Sequence, residues 1–453
     1  MAVSGSVSGS NGNDTKYKPG LSISQIINMN FGFFGIQYSF GLQQTAINPI
    51  YTFLDADPAQ LPILNLAGPM TGLLIQPVIG AMSDKTWSPR WGRRKPYFLV
   101  GAITCSIALF IMPFSSALWM AAGLLWILDA GNNTAMEPYR AFVADKLPRT
   151  QFAKGFLTQS FFTGLGITLA NLSLYFFQQM WTGSSSSGIP YWVFGAFFVG
   201  AVCSIGSVLW SISTTPEIPP TDEELAAMKA AKKSGLAAVF EPFTEIFHAI
   251  KDMPSTLWQL SLVYLFQWYA MFCYWQFVSH SIAKSVWKTA AQENMTLYEE
   301  AAGWTGLVNG FYNIVTFLSA FGLVWLAKKY SARYVHAICL LFAAMALFIM
   351  PGIENKYFLF APMIGFGIAW ASMMGIPYIM VANSIPPAKN GVYMGIVNMM
   401  IVIPMIIQTL SFGYVYDGLL GSNPGNALRF AGLLLTFAAL ATLRIKTNDI
   451  EIE

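Results

Sequence analysis

LLWILDAGNNTAMEPYRAFVADKLP, residues 124–148, sits in a long apolar run and has the length of a membrane-spanning helix. Yet it carries Asp129, Asn132, Asn133, Glu137 and Arg140 before it reaches Asp145. A charged side chain at the bilayer centre costs roughly 2.5–3.5 kcal/mol on insertion scales. A helix that tolerates several such groups must bury them in a bundle or a water-filled cavity, and an ionisable residue held there is by default a functional one.

The rest of the chain agrees with a membrane reading. Of 453 residues 55% are hydrophobic and only 10% charged, with mean hydropathy +0.51. A soluble protein carries roughly a quarter charged residues. Apolar blocks of about 20 residues, the length that crosses the hydrocarbon core, recur at 21–48, 62–82, 96–114, 117–143, 156–180, 190–213, 256–280, 303–327, 334–351, 357–382, 391–413 and 428–444. The expected fold class is an all-α polytopic membrane protein of twelve transmembrane helices. Of the 25 Lys and Arg, twenty fall on the tails and loops of one side and three on the other. That asymmetry places both termini in the cytoplasm. The four cysteines all lie in apolar runs and read as packing residues without disulfide or metal roles.

The longest connection, 214–255, divides the chain into six-helix halves at 21–213 and 256–444, flanked by a polar N-terminal tail (1–20) and a C-terminal tail (445–453). The tail lacks the basic-then-apolar layout of a signal peptide and reads as disordered. In the connection, Thr221 with Glu224 forms a capping-box pattern. Leu236, Val239, Phe240, Phe243, Ile246, Phe247 and Ile250 fall on one face of an amphipathic helix expected to lie on the membrane surface, with His248 on its polar side. His280 and His336 stand near span ends and are minor candidates for proton relay.

The loop after span two reads Gly80-Ala-Met-Ser-Asp84-Lys85, then TWSPRW, then Gly92-Arg93-Arg94-Lys95-Pro96. It resembles the cytoplasmic signature of the major facilitator superfamily, interrupted by that insertion. Asp84, Arg93 and Arg94 are then gating candidates: an acid at a helix end that pairs with bases while one side is closed. Leu326-Ala-Lys328-Lys329-Tyr-Ser-Ala-Arg333 is a faint echo in the second half, as two related halves would give. Four further stretches, QYSFGLQQTAINPIY (37–51), AGPMTGLLIQPVIGAMSD (67–84), LDAGNNTAMEPYRAFVAD (128–145) and GVYMGIVNMMIVIPMI (391–406), resemble the plant sucrose–proton symporters and their bacterial and animal relatives. The resemblance implies the major facilitator fold and proton-coupled uptake of a glycoside such as sucrose or maltose. It also implies that Asp129 carries the proton and that Arg140 matches the family's arginine in the same helix. Plant members have Gly-Pro where this chain has Glu137-Pro138.

Helical spacing adds detail. Asp129, Asn133, Met136 and Arg140 share a face, and eleven residues separate Asp129 from Arg140 by about 16 Å. Glu137 is therefore the partner expected for Arg140, in a buried pair whose disruption should cost several kcal/mol. Asp129 has no cation within a turn, so burial favours its neutral form. Asp129, Glu137 and Arg140 form the expected proton-coupling set. Span one carries Asn30, Phe34, Gln37, Gly41, Gln44 and Asn48 on one face; span seven carries Tyr264, Gln267, Trp268, Met271, Tyr274 and Trp275; span eight carries Asn309, Asn313 and Thr316. Amides for hydroxyls and rings for apolar C–H faces are what a sugar requires. Asn30, Phe34, Gln37, Gln44, Asn133, Gln267, Trp268, Tyr274, Asn309 and Asn313 are the substrate-binding candidates, with Gln159, Asn171 and Asn398 weaker ones.

The expected partners are a small-molecule sugar, protons as coupling ion and the lipid bilayer, with no metal, other cofactor or nucleic acid. Short loops and tails lean towards a bacterial inner membrane. A proton-driven exporter of amphipathic compounds would share the fold but prefer a greasier cavity. A membrane enzyme or sensor finds no nucleophile motif, metal-ligand spacing or signalling domain to rest on.

Overall fold

The computed structural model describes residues 18–230, 244, 250–382 and 390–445. Among these are twelve helices of 17 residues or more: α1 Ile23–Phe53, α2 Ala67–Asp84, α3 Lys95–Ile111, α4 Leu118–Lys146, α5 Phe152–Met180, α6 Tyr191–Thr214, α7 Ser255–Val286, α8 Met295–Lys329, α9 Ala332–Ile349, α10 Phe360–Ala382, α11 Asn390–Gly418 and α12 Pro424–Leu443. The extended pairs among the described residues are the isolated bridges Ser88–Gly92 and Ser184–Pro190. Several helices outrun the apolar blocks. α8 starts at Met295, where the Asn294 side chain accepts from Leu297 N at 3.1 Å, and α7 continues to Val286. Hydropathy marks only the part of a helix that lies in hydrocarbon. Side-chain caps extend the helix beyond it.

Eight of the helical segments are long and apolar enough by composition to cross a membrane. The four long helices outside that set are α1, α4, α7 and α8. These are the helices whose polar stripes the sequence singles out. Their amides and hydroxyls are buried inside the protein, whereas Val100, Phe110, Val202, Leu318, Phe358 and Leu440 are more than half exposed on its outside. Polar residues inside and apolar residues outside is the arrangement a lipid solvent demands. The protein is a multi-pass membrane protein.

The helices pack by one scheme used twice. α1 packs on α5 and α6, α3 on α4 and α6, and α2 on α4. In the second set α7 packs on α11 and α12, α9 on α10 and α12, and α8 on α10. The two sets meet where α8 lies along α5 and α11 against α2, an equivalent pair of crossings. Small residues let the backbones approach. A Cβ on Gly35 of α1 would lie 2.2 Å from the Cys203 carbonyl oxygen of α6, and one on Gly166 of α5 would lie 2.6 Å from the Phe34 carbonyl oxygen.

The Thr221–Glu224 capping box is formed: Glu224 N donates to Thr221 Oγ1 at 3.2 Å and Thr221 N to Glu224 Oε2 at 2.9 Å, opening the helix Asp222–Ala230. The amphipathic helix expected over Leu236–Ile250, with His248, lies outside the described residues apart from Ile250 and the position at 244.

Candidate functional site

Asp129 lies in the interior of α4 and is 1% exposed. Gln43 of α1 donates to its Oδ1 at 2.6 Å. Oδ2 is buried with no hydrogen-bond partner, and a Cβ added to Gly68 of α2 would lie 3.6 Å from it. The carboxylate is set in amides. Asn132 Nδ2 donates to Gln43 Oε1 at 3.4 Å. Gln76 of α2 donates to Asn133 Oδ1 at 2.5 Å, and Asn133 Nδ2 donates to Thr71 Oγ1 at 3.0 Å. Among the described residues no Lys, Arg or His bonds to Asp129. Among the described residues the geometry thus leaves one oxygen of a buried carboxylate without a protein donor. Such a group is costly when ionised unless a proton, a water or a ligand satisfies it.

Where the two sets of helices meet, a second chain of polar groups crosses between them. Tyr274 Oη of α7 donates to Asn309 Oδ1 of α8 at 2.7 Å. Asn309 Nδ2 donates to Thr45 Oγ1 of α1 at 3.1 Å, and Thr45 Oγ1 donates to Asn171 Oδ1 of α5. Nearer the end of the bundle away from the termini, Asn48 Nδ2 donates to the Trp275 carbonyl oxygen at 3.3 Å, and Thr52 Oγ1 meets His280 Nε2 at 3.1 Å. Tyr298 Oη donates to Thr52 at 3.4 Å, and Gln178 donates to the Glu299 carbonyl oxygen. His280 thus joins the two halves. His336 instead packs inside the second one, 2.7 Å from Ser372 Oγ.

Not every candidate lands in one place. Gln37 reaches Met136 Sδ at 3.9 Å, on the same side of α1 as α4. Phe34 stacks with Phe31 and meets Tyr38 edge-on. Asn30 is fully buried and donates to Ile26 O of its own helix at 2.9 Å, and Asn313 donates to Asn309 O at 2.9 Å. Gln44 is half-buried, and the contact with Asp129 falls to its neighbour Gln43. Gln267 is fully buried with both amide atoms unpartnered. Trp268 is 6.0 Å from Trp370 of α10 and 6.5 Å from Trp275, and Trp275 is 5.6 Å from Trp370, so three indoles form one cluster. Gln43, Thr71, Gln76 and Trp370 are members that the sequence reading did not select. Gln76 sits in a nearly uniform apolar helix, where a single amide is the one available signal.

At the end that carries the termini, Asp84 Oδ1 accepts from Arg93 Nη2 at 3.1 Å and Arg94 Nη2 at 2.5 Å. Arg94 Nε also reaches Asp145 Oδ2 at 2.7 Å, and its Nη1 reaches Ser83 Oγ at 2.5 Å. Burial opposes the charge on Arg94, but Asp145 and Asp84 outweigh it and hold the guanidinium above its ordinary pKa. Glu217, which the sequence reading passed over, accepts from the backbone N–H groups of Arg93, Arg94 and Lys95 at 2.8, 2.9 and 3.0 Å. It is an anion on the positive end of α3. The cluster ties the ends of α2, α3, α4 and α6 within one half.

Glu137 and Arg140 need a correction. They are not a buried pair: the nearest atoms are 4.0 Å apart and the side chains 38% and 49% exposed. A half-exposed contact at that distance is worth about 0–1 kcal/mol, not several. Both face Tyr378 of α10, which lies within their electrostatic reach and is itself 36% exposed. Described bonds join the two halves at the end away from the termini, and Glu137 and Arg140, nearer the other end, are half-exposed.

Paired six-helix sets, an apolar exterior and a polar seam that holds a buried carboxylate with no cation bonded to it among the described residues are features of a membrane transporter. The family profile of the Major Facilitator Superfamily matches residues 29–409, and the chain belongs to that superfamily; it is a transporter and not an enzyme. It is similar to the sucrose transport protein SUC4 of Arabidopsis thaliana, 25% identical over 91% of this chain and 89% of the relative. It is likewise similar to the sucrose transport protein SUT2 of Oryza sativa subsp. japonica, 25% identical over 88% of this chain and 87% of the relative. Among solved structures, the nucleoside transporter NupG superposes with TM-score 0.63 at 16% identity, covering 94% of this chain and 99% of that one. The inward open xylose transporter XylE of E. coli gives TM-score 0.57 at 14% identity, covering 93% and 94%. These two likenesses show the fold.

Proposed function

We propose that this protein is a proton-coupled symporter that imports a neutral glycoside, a disaccharide of the sucrose or maltose kind, by alternating access. All twelve long helices cross the cell membrane, and both termini lie in the cytoplasm. The observation that carries the reading is Asp129: a buried carboxylate with, among the described residues, no cation bonded to it, one oxygen held by Gln43 and the other without a partner. Protonation on Oδ2 removes the charge and creates an O–H donor for which the protein supplies no acceptor. A sugar hydroxyl oxygen entering past Gly68 meets that need. The relatives named sucrose transport proteins support a saccharide cargo, and the amide-rich seam favours it over an amphipathic one.

In the cycle, Asp129 loads a proton from outside and the sugar binds between the halves. Asn309, Tyr274 and the Trp268–Trp275–Trp370 cluster belong to the second half's share of the site. The outer end closes through Thr52, His280 and Tyr298, the arrangement described above. Sugar leaves past Arg140 and Glu137, Asp129 gives up its proton, and the empty carrier resets as the Asp84–Arg94 helix ends shift. The test is sucrose added to proteoliposomes enclosing a pH dye. Symport predicts proton movement in the direction of sugar entry, in proportion to sugar taken up. Uptake of sucrose without proton movement would contradict coupling, and sucrose-independent proton flux would contradict symport.

A further inference from the structure

Asp129 is read above as the proton carrier, and the next question is how its state reaches the rest of the protein. One side chain from another helix bonds directly to it among the described residues, Gln43 of α1. The bonds behind Gln43 all point the same way. Cys105 Sγ of α3 donates to Asn132 Oδ1 at 3.1 Å, Asn132 Nδ2 donates to Gln43 Oε1, and Gln43 Nε2 donates to Asp129 Oδ1. An ionised carboxylate accepts only, and a chain of donors ending on it is satisfied throughout. A proton on Oδ2, as read above, leaves Oδ1 a neutral acceptor, so the Gln43 bond persists but loses the charge assistance that makes such bonds strong. The hold of Asp129 on Gln43, and through it on Asn132, thus differs between the two states of Asp129.

We propose that Gln43 is the positioning residue that couples the protonation of Asp129 to α1, and through α1 to the contact between the halves. Thr45 is two residues along the same helix and bonds both Asn171 of its own half and Asn309 of the other. A displacement of α1 at Gln43 therefore acts on the bond that joins the halves at mid-depth. The titratable groups near Asp129 are Tyr51 on α1 and Cys105 on α3. α2 presents Gly68, Thr71 and Gln76 on this side, and no charged side chain among the described residues bears on the site. Gln43 is therefore the partner whose loss or change should alter coupling.

The proposal rests on the reading of Asp129, so Gln43→Leu, Gln43→Glu and Asp129→Asn are compared in proteoliposomes with radiolabelled sucrose. Gln43→Leu is expected to lose accumulation driven by a pH gradient by a larger factor than it loses exchange of internal for external sucrose. Its sucrose KM should no longer rise with external pH. Gln43→Glu places a second carboxyl beside the first, so that two like charges share one proton. The pH at which KM climbs should then move upward by a unit or more. If Gln43→Leu accumulates sucrose with the wild-type KM–pH profile, Gln43 has no coupling role. Should Gln43→Leu fail to fold, an unshifted profile in Gln43→Glu overturns the proposal equally. Normal accumulation by Asp129→Asn overturns the reading beneath it, whereas loss there with a wild-type profile in the Gln43 variants overturns only the role of Gln43.

Discussion

The residues that matter most here differ in how openly the sequence displays them. Asp129 is legible because a carboxylate in an apolar run has few structural excuses. Gln43 is not, because Gln43 and Gln44 are adjacent and the spacing from Asn30 places Gln44 on the stripe. Period alone cannot say which of two neighbouring amides a partner helix will meet. The Glu137–Arg140 pair shows the opposite failure: spacing predicted the contact, but not that solvent reaches it. Glu137→Gln is therefore expected to lower thermal stability by no more than about 1 kcal/mol, read as a shift of the unfolding midpoint in detergent. A loss of several kcal/mol would restore the buried-pair view. Beside Asp129, a Cβ on Gly68 would already lie 3.6 Å from Oδ2, so the larger side chain of Gly68→Val should crowd the carboxylate. Sucrose KM should rise by tenfold or more while the protein stays folded, measured by uptake and gel filtration together.

At the scale of the element, hydropathy finds eight helices readily and leaves four behind. α1, α4, α7 and α8 hold the polar interior, and what disqualifies them by composition is what equips them for the seam. Their close packing on neighbours was legible only as glycines in apolar runs. Gly35→Val should abolish folding, because a Cβ there already overlaps the Cys203 carbonyl oxygen of α6; recovery of a monodisperse protein would show that α1 and α6 can separate. The loop signature announced Asp84, Arg93 and Arg94. It did not announce Glu217, which approaches from beyond α6, far along the chain, to cap α3. Removing such a cap costs about 0.5–2 kcal/mol. Glu217→Ala should accordingly lower the unfolding midpoint while Glu217→Gln retains part of the loss, a ranking that thermal unfolding in detergent resolves.

For the whole molecule, the bonds from Asn48 and Thr52 to Trp275 and His280 join the halves at the end away from the termini, and Arg140 is half-exposed towards the other end. The all-helical, multi-pass character could be read from block length, which reflects the bilayer and acts on every helix alike. The cross-half bonds could not, because they depend on how helices far apart in the chain approach in space. The proposed function turns on a carboxylate whose protonation permits the sugar to bind. The most direct test is Asp129→Asn in proteoliposomes with sucrose inside and out and a pH gradient imposed. The variant, fixed in the neutral form, should exchange labelled for unlabelled sucrose and fail to concentrate it; accumulation equal to the wild type would contradict the account.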